Sequence, residues 1–135
     1  MQIVIDTNAY VAYMQGDQNV FAMFGVAERT LISVIVLGEL YAGFQGGTKY
    51  LENKKRLEQF LQKSTAQIIQ ITQDTSEIFG RIKNQLKING TPIPLNDIWL
   101  AAQSIETGSV MVTYDQHFTH ISELRLWHGL KDGEQ

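Results

Sequence analysis

At 135 residues, 44% hydrophobic and with two prolines, the chain has the size and make-up of one globular domain with a single core. It has no cysteine, which excludes disulfides, thiolate metal sites and cysteine nucleophiles and suits a reducing, cytoplasmic setting. No basic segment leads into an apolar run at the N-terminus, and no stretch approaches the roughly 18 uninterrupted apolar residues of a membrane span, so neither a signal peptide nor a membrane location is expected.

The net charge of -3 hides an uneven distribution. Between Lys49 and Lys87 stand eight basic residues (Lys49, Lys54, Lys55, Arg56, Lys63, Arg81, Lys83, Lys87) against four acids, a balance of +4; three basic and ten acidic residues elsewhere give -7. A basic middle can follow a phosphate backbone while acids elsewhere hold metals. The same pattern also fits two ordinary solvated helices.

In chain order, Ile3-Val4-Ile5 reads as a buried strand that ends in the polar turn Asp6-Thr7-Asn8. Ala9–Met14 starts a helix capped by Thr7 or Asn8, and Val20–Glu28 forms another with Val20, Phe21 and Phe24 inside. Leu31-Ile32-Ser33 is the second strand. A helix from Val34 to Phe44 follows, capped by Ser33, with Ile35, Glu39 and Ala42 on one mostly apolar face. Gly43, Gly46 and Gly47 form a hinge; their spacing does not match a phosphate-binding loop.

Tyr50–Lys63 is a charged helix packed through Leu51, Leu57, Phe60 and Leu61. Ile68–Ile71 is the third strand, and Thr72–Ile88 a helix with an apolar stripe (Ile78, Phe79, Ile82, Leu86) and a basic side, ended by Asn89-Gly90. Thr91–Pro94 is extended. A helix starting near Asn96 or Asp97, either of them the cap, runs to Thr107. Val110–Val112 is a fourth strand ending in Thr113-Tyr114-Asp115, Gln116–His120 a single helical turn, and Leu124–Trp127 a fifth strand before a polar tail, 129–135. Strands alternating with helices predict a three-layer α/β/α sandwich, a single domain over 1–135 with a mainly parallel five-stranded sheet.

Four acids stand out: Asp6 and Asp115 at strand exits, Asp97 at a helix start and Glu39 on an apolar helix. Strand exits share one edge of a parallel sheet, where ligands bind, and a helix following a strand begins there too. Asp97 is different: its helix precedes a strand, and periodicity alone leaves open whether it reaches that edge. Gathered carboxylates repel one another unless cations intervene, and all-oxygen donors suit Mg2+ or Mn2+. His117, His120 and His128 lack a zinc spacing, so a structural or exposed role is expected of them. No G-x-S-x-G turn supports a serine hydrolase, and Trp99 and Trp127 read as core.

The segments IVIDTN (Ile3–Asn8), ISVIVLGELYAG (Ile32–Gly43), IPLNDIWLAA (Ile93–Ala102) and VMVTYDQHF (Val110–Phe118), in this order, resemble PIN-domain proteins and more closely the VapC toxins of toxin–antitoxin pairs. The resemblance implies a metal-dependent endoribonuclease whose acidic pocket, holding Mg2+ or Mn2+, is formed by Asp6, Glu39, Asp97 and Asp115. It implies that Asp97 does reach the pocket, and it gives Asn8 and Thr113 supporting hydrogen bonds. Many relatives carry asparagine at the position of Asp115. Also implied are an RNA substrate, a small antitoxin partner through which alone DNA would be engaged, and a homodimer. Tyr10, Tyr13, Tyr41 and Phe44 suit an interface or equally a core. Lys49, Lys54, Lys55, Arg56, Arg81, Lys83 and Lys87 are the expected contacts to RNA. The alternative is a non-catalytic RNA-binding or regulatory module with a vestigial pocket; a phospho-receiver lacks a convincing lysine after its last strand.

Overall fold

The structure, a computed structural model, describes residues 1–129. Four strands form one sheet: β1 (Gln2–Ile5), β2 (Arg29–Ser33), β3 (Ala66–Ile69) and β4 (Val110–Val112). Their order is β3-β2-β1-β4 and every pairing is parallel, with Ile3 opposite Thr30 on one side and Val110 on the other. The chain therefore moves outward from β1 to β3 and returns to lay β4 on β1's free side. The carboxyl ends of β1 and β4 flank the point where the order reverses, the crevice in which open α/β sheets bind ligands.

The helices flanking the sheet are α1 (Thr7–Met14), α2 (Gln18–Val26), α3 (Val34–Gln45), α4 (Tyr50–Leu61), α5 (Gln73–Asn89) and α6 (Leu95–Glu106), followed by a 3-10 turn at Gln116–His120. The core residues of β1, β2 and β4 are apolar and fully buried, Ile3, Val4, Ile5, Ile32, Met111 and Val112 among them, as a parallel sheet covered by helices requires. Leu57, Phe60, Ile82, Leu86 and Leu100 close the core from the helices.

Several expectations are corrected. The fifth strand is reduced to one parallel bridge, Met111 to Leu126. Leu124–Trp127 leans on β4 through only two backbone hydrogen bonds before Trp127 turns into the core. β3 lies two residues earlier than its apolar run suggests. It is an edge strand with Gln67 and Ile68 exposed, so burial does not dictate its composition. On α2 the inward residues are Val20 and Met23, while Phe21 is exposed. On α3 the inward residues are Val36 and Leu40; Glu39 and Ala42 face out. On α4, Leu51 is exposed. Tyr10 is core rather than interface, 3% exposed and edge-on to Phe60. Trp127 is buried, whereas Trp99 is half-buried, stacked on Phe79 at 4.0 Å. The expected tail, from 130 on, lies outside the described residues. Among the described residues no helix is long and apolar enough to cross a membrane.

The helix pair α5–α6 decides where Asp97 goes. Thr72, capping α5, and Thr75 in its first turn both donate to Glu106, the last residue of α6. The two helices are thus antiparallel neighbours. The end of α6 feeds the amino end of β4 through Gly108, at φ 65°. So α5 runs toward the carboxyl edge of the sheet, and Thr91–Pro94 starts α6 there. Periodicity alone leaves this open because a helix that follows a strand ordinarily begins at the carboxyl edge; α5 follows β3 yet begins at the other, and Asp97 reaches the carboxyl edge as the family resemblance implies.

Candidate active site

Asp6 leaves β1 and caps α1: its Oδ1 accepts from the backbone N–H of Ala9 at 2.8 Å. Neither Thr7 nor Asn8 is the cap, because the carboxylate one residue earlier reaches the open N–H groups first. Its Oδ2 accepts from Thr113 Oγ1 at 2.6 Å, across the β1–β4 junction. The Thr113 hydroxyl also accepts from the backbone N–H of Asp115 at 2.9 Å, and the Thr113 carbonyl accepts from Trp127 Nε1 at 2.6 Å. One buried hydroxyl thereby fixes two acids, and a buried indole fixes the residue that carries it.

Asp115 caps the 3-10 turn, its Oδ1 accepting from the N–H of His117 at 2.9 Å. Asp97 sits in the first turn of α6, whose cap position is Pro94 with no side-chain bond, so neither Asn96 nor Asp97 is a cap. Glu39 reaches the same place from α3 and accepts from Thr7 Oγ1 at 2.7 Å. Together Asp6, Thr7, Asn8, Glu39, Asn96, Asp97, Leu100, Asp115 and His117 line a cavity of about 540 Å3.

Of these acids, Asp6 is the deepest, only 5% exposed. Burial pushes its carboxyl up from 3.8 to about 6; the Thr113 and Ala9 hydrogen bonds hold it down in part, and the charges of Asp115 and Asp97 raise it further. Asp97 is likewise raised, chiefly by burial; its bond to His117 opposes the shift, and the charges of Asp115 and Glu39 add to it. The four acids come from four separate elements. Ligand atoms of Asp97, Asp115 and His117 lie within 4.8 Å of one another. Asp6 and Glu39 line the same cavity but stand outside that tightest group.

Two residues of the cavity read otherwise in the sequence: His117, near the proposed acids, as structural or exposed, and Thr7 as a cap candidate. His117 Nδ1 lies 3.1 Å from Asp115 Oδ1 and 3.2 Å from Asp97 Oδ2. The available signal was its place two residues after Asp115, in a turn that Asp115 caps. Thr7 is the second; its signal was adjacency to Asp6. His120 and His128 stay apart, His120 beside Leu86 and Ile121, His128 against Trp127.

The basic residues do not gather in the acidic cavity. Arg81 forks onto Glu123, with Nη2 at 2.8 Å and Nε at 3.1 Å. Arg56 stands 3.8 Å from Glu52 and lines, with Lys63, Tyr13, Phe21 and Phe60, a second cleft of similar size. Among the described residues only one carboxylate, Asp17, belongs to that cleft, so the clustered chemistry belongs to the acidic one. Lys83 and Lys87 flank a groove with Pro92 and Ile93. Lys49, Lys54 and Lys55 are carried by α4 and its start.

The fold and cavity define a parallel α/β protein with a carboxylate pocket at the switch point of its sheet. The PIN-domain family profile matches residues 3–124. The chain belongs to the PIN-domain family, in its VapC branch. It is similar to ribonuclease VapC1 of Haemophilus influenzae (strain R2866), 24% identical over 130 residues that cover 93% of this chain and 96% of that protein. Ribonuclease VapC2 of Rickettsia felis (strain ATCC VR-1525 / URRWXCal2) is 31% identical over 96 residues, 70% of each chain. Among solved structures, that of VapBC2 from Rickettsia felis bound to a DNA fragment from its promoter superposes with a TM-score of 0.84, at 26% identity, covering 94% of this chain and 98% of that one.

Proposed function

We propose that the chain is an endoribonuclease, the toxin of a toxin–antitoxin pair, hydrolysing RNA phosphodiesters with Mg2+ or Mn2+ held by Asp6, Asp97, Asp115 and Glu39. One observation carries this: carboxylates from four elements line one cavity at the sheet's carboxyl edge, and burial raises two of them. The relatives named ribonuclease VapC support the choice of RNA.

The donor set fits a divalent cation. Asp6 is buried with hydrogen-bond donors but, among the described residues, no lysine or arginine lines its cavity, and acids that raise one another call for a positive charge between them. Bound there, such a cation supplies the charge that activates a water and stabilises the phosphate under attack. Thr113 is a positioning residue, orienting Asp6 and the Asp115 turn. Thr7 orients Glu39 toward the cavity. Asn8, exposed at the rim, suits a hydrogen bond to substrate.

RNA would follow the charged helices, touching Lys49, Lys54, Lys55 and Arg56 along α4 and Lys83 and Lys87 on α5, with Arg81 held by Glu123 until displaced. A small antitoxin protein, contact with DNA only through it, and a cytoplasmic homodimer complete the reading; the VapBC2 complex on promoter DNA supports the first two. Residues 1–135 act as a single domain in it.

The test is cleavage of a structured RNA pool by purified protein with Mg2+ or Mn2+ and with chelator. Wild type cleaves only with metal, and Asp97→Asn loses at least about 100-fold, more than outer-shell changes of a metal site cost. Equal cleavage by both proteins refutes the assignment. RNA binding with no cleavage by either makes the chain a binding module.

A further inference from the structure

Resting on the metal-dependent reading above, we propose that His117 is itself a ligand of the divalent cation, and that its nitrogen makes the site favour a first-row transition ion such as Mn2+ over Mg2+. The cavity is not a cluster of oxygens alone. Nδ1 of His117 lies 3.2 Å from Asp97 Oδ2 and 3.1 Å from Asp115 Oδ1. Two ligands bound at about 2.1 Å and at right angles are about 3 Å apart, so these spacings are those of neighbouring donors on one octahedral ion.

The three donors are also held before any ion arrives. Asp115 Oδ1 accepts the backbone N–H of His117, so the turn that orients the carboxylate orients the imidazole with it. Asp115 is anchored in turn by Thr113 Oγ1 at its own N–H. Asp97 approaches from a different element, the first turn of α6. Without an ion, Nδ1 carries the proton of the bond to Asp97; the ring is half in solvent, so when an ion takes the Nδ1 lone pair the proton can move to Nε2.

The nitrogen changes which ion the site prefers. Imidazole suits the later first-row ions best; Mn2+, at the weak end of that series, still accepts a nitrogen donor more readily than Mg2+, which takes hard oxygen donors and keeps its waters. A purely structural imidazole, donating one hydrogen to both carboxylates, would instead be expelled or left unligated when an ion binds.

Mn2+ is the probe. Electron spin-echo spectroscopy of Mn2+ bound to purified protein shows nitrogen-14 modulation in wild type and in His120→Ala, and none in His117→Ala. By calorimetry, Mn2+ affinity falls at least about tenfold in His117→Ala, while Mg2+ affinity changes far less. Circular dichroism confirms that the variant folds, as its half-exposed side chain predicts. Mn2+ bound to wild type without nitrogen modulation, or equal losses for Mn2+ and Mg2+, overturns the inference. If metal-dependent RNA cleavage persists alongside that result, the nuclease reading stands and only the ligand role of His117 falls. A wild-type protein that binds no Mn2+ overturns both.

Discussion

Replacing Asp6 with asparagine should make the cation-free protein more stable at neutral pH while destroying its site. Asp6 is almost fully buried, and its carboxyl is raised from 3.8 to about 6. Between those values the folded chain holds a proton that the unfolded chain has released. Stability therefore falls as pH rises through about 4 to 6, and the gap corresponds to about 3 kcal/mol of penalty at pH 8. Asparagine carries no charge and escapes that penalty. Its Oδ1 keeps the Ala9 N–H, but its amide faces the Thr113 hydroxyl, which must then accept where it now donates. Losing the donor role costs about 1 kcal/mol. Asp6→Asn should thus gain about 2 kcal/mol at pH 8 in chelator and be the weaker protein near pH 4. Urea unfolding followed by tryptophan fluorescence reads both. A variant less stable than wild type at pH 8, or one whose difference from wild type ignores pH, would refute the reasoning.

Thr113→Val keeps the shape of a fully buried residue and deletes the bonds to Asp6 and the Asp115 N–H; we expect a loss of about 2–4 kcal/mol by urea unfolding, with Asp6 pushed further up. A loss under about 0.5 kcal/mol would mean that the hydroxyl does not organise the site. Changing Lys54, Lys55 and Arg56 together to alanine should weaken RNA binding alike for all sequences and flatten the salt dependence of log K by about 2, read by fluorescence anisotropy. An unchanged slope removes α4 from the interface.

β1, β2 and β4 were legible because burial on both faces demands continuous apolar runs, and Ile3–Ile5, Leu31–Ser33 and Val110–Val112 supply them; β4 is an edge strand, but the Leu124–Trp127 segment covers its outer side. β3 was misplaced by two residues because an edge strand with exposed Ile68 carries no such demand. Ser33 was readable as a cap, as was the α5 stop at Gly90, φ 69°. Asp6 was readable as an acid at the carboxyl edge of the sheet but not as the cap of α1, since both places use the same carboxylate and the sequence pattern presents one at a time. The contact of His117 with the acids was not readable: its place near them was, but a histidine after a strand has no periodicity, and the capped turn at Asp115 is what brings it to them.

The instability of the pocket and its capacity to bind have one cause. A lysine beside Asp6 would relieve the buried charge, yet it would fill the space an ion needs. The chain instead surrounds that carboxylate with a backbone N–H and a threonine hydroxyl, which fix its direction without cancelling its charge. The Glu39 carboxylate is treated the same way, by Thr7. On the metal-dependent reading proposed above, neutralisation is left to a cation that arrives from outside. A cation present at 100 times its dissociation constant would add about 2.7 kcal/mol of stability, close to what Asp6 alone removes at neutral pH. The loaded protein should then match the stability of the same fold without its buried charge, and the free protein should be the weaker by that amount.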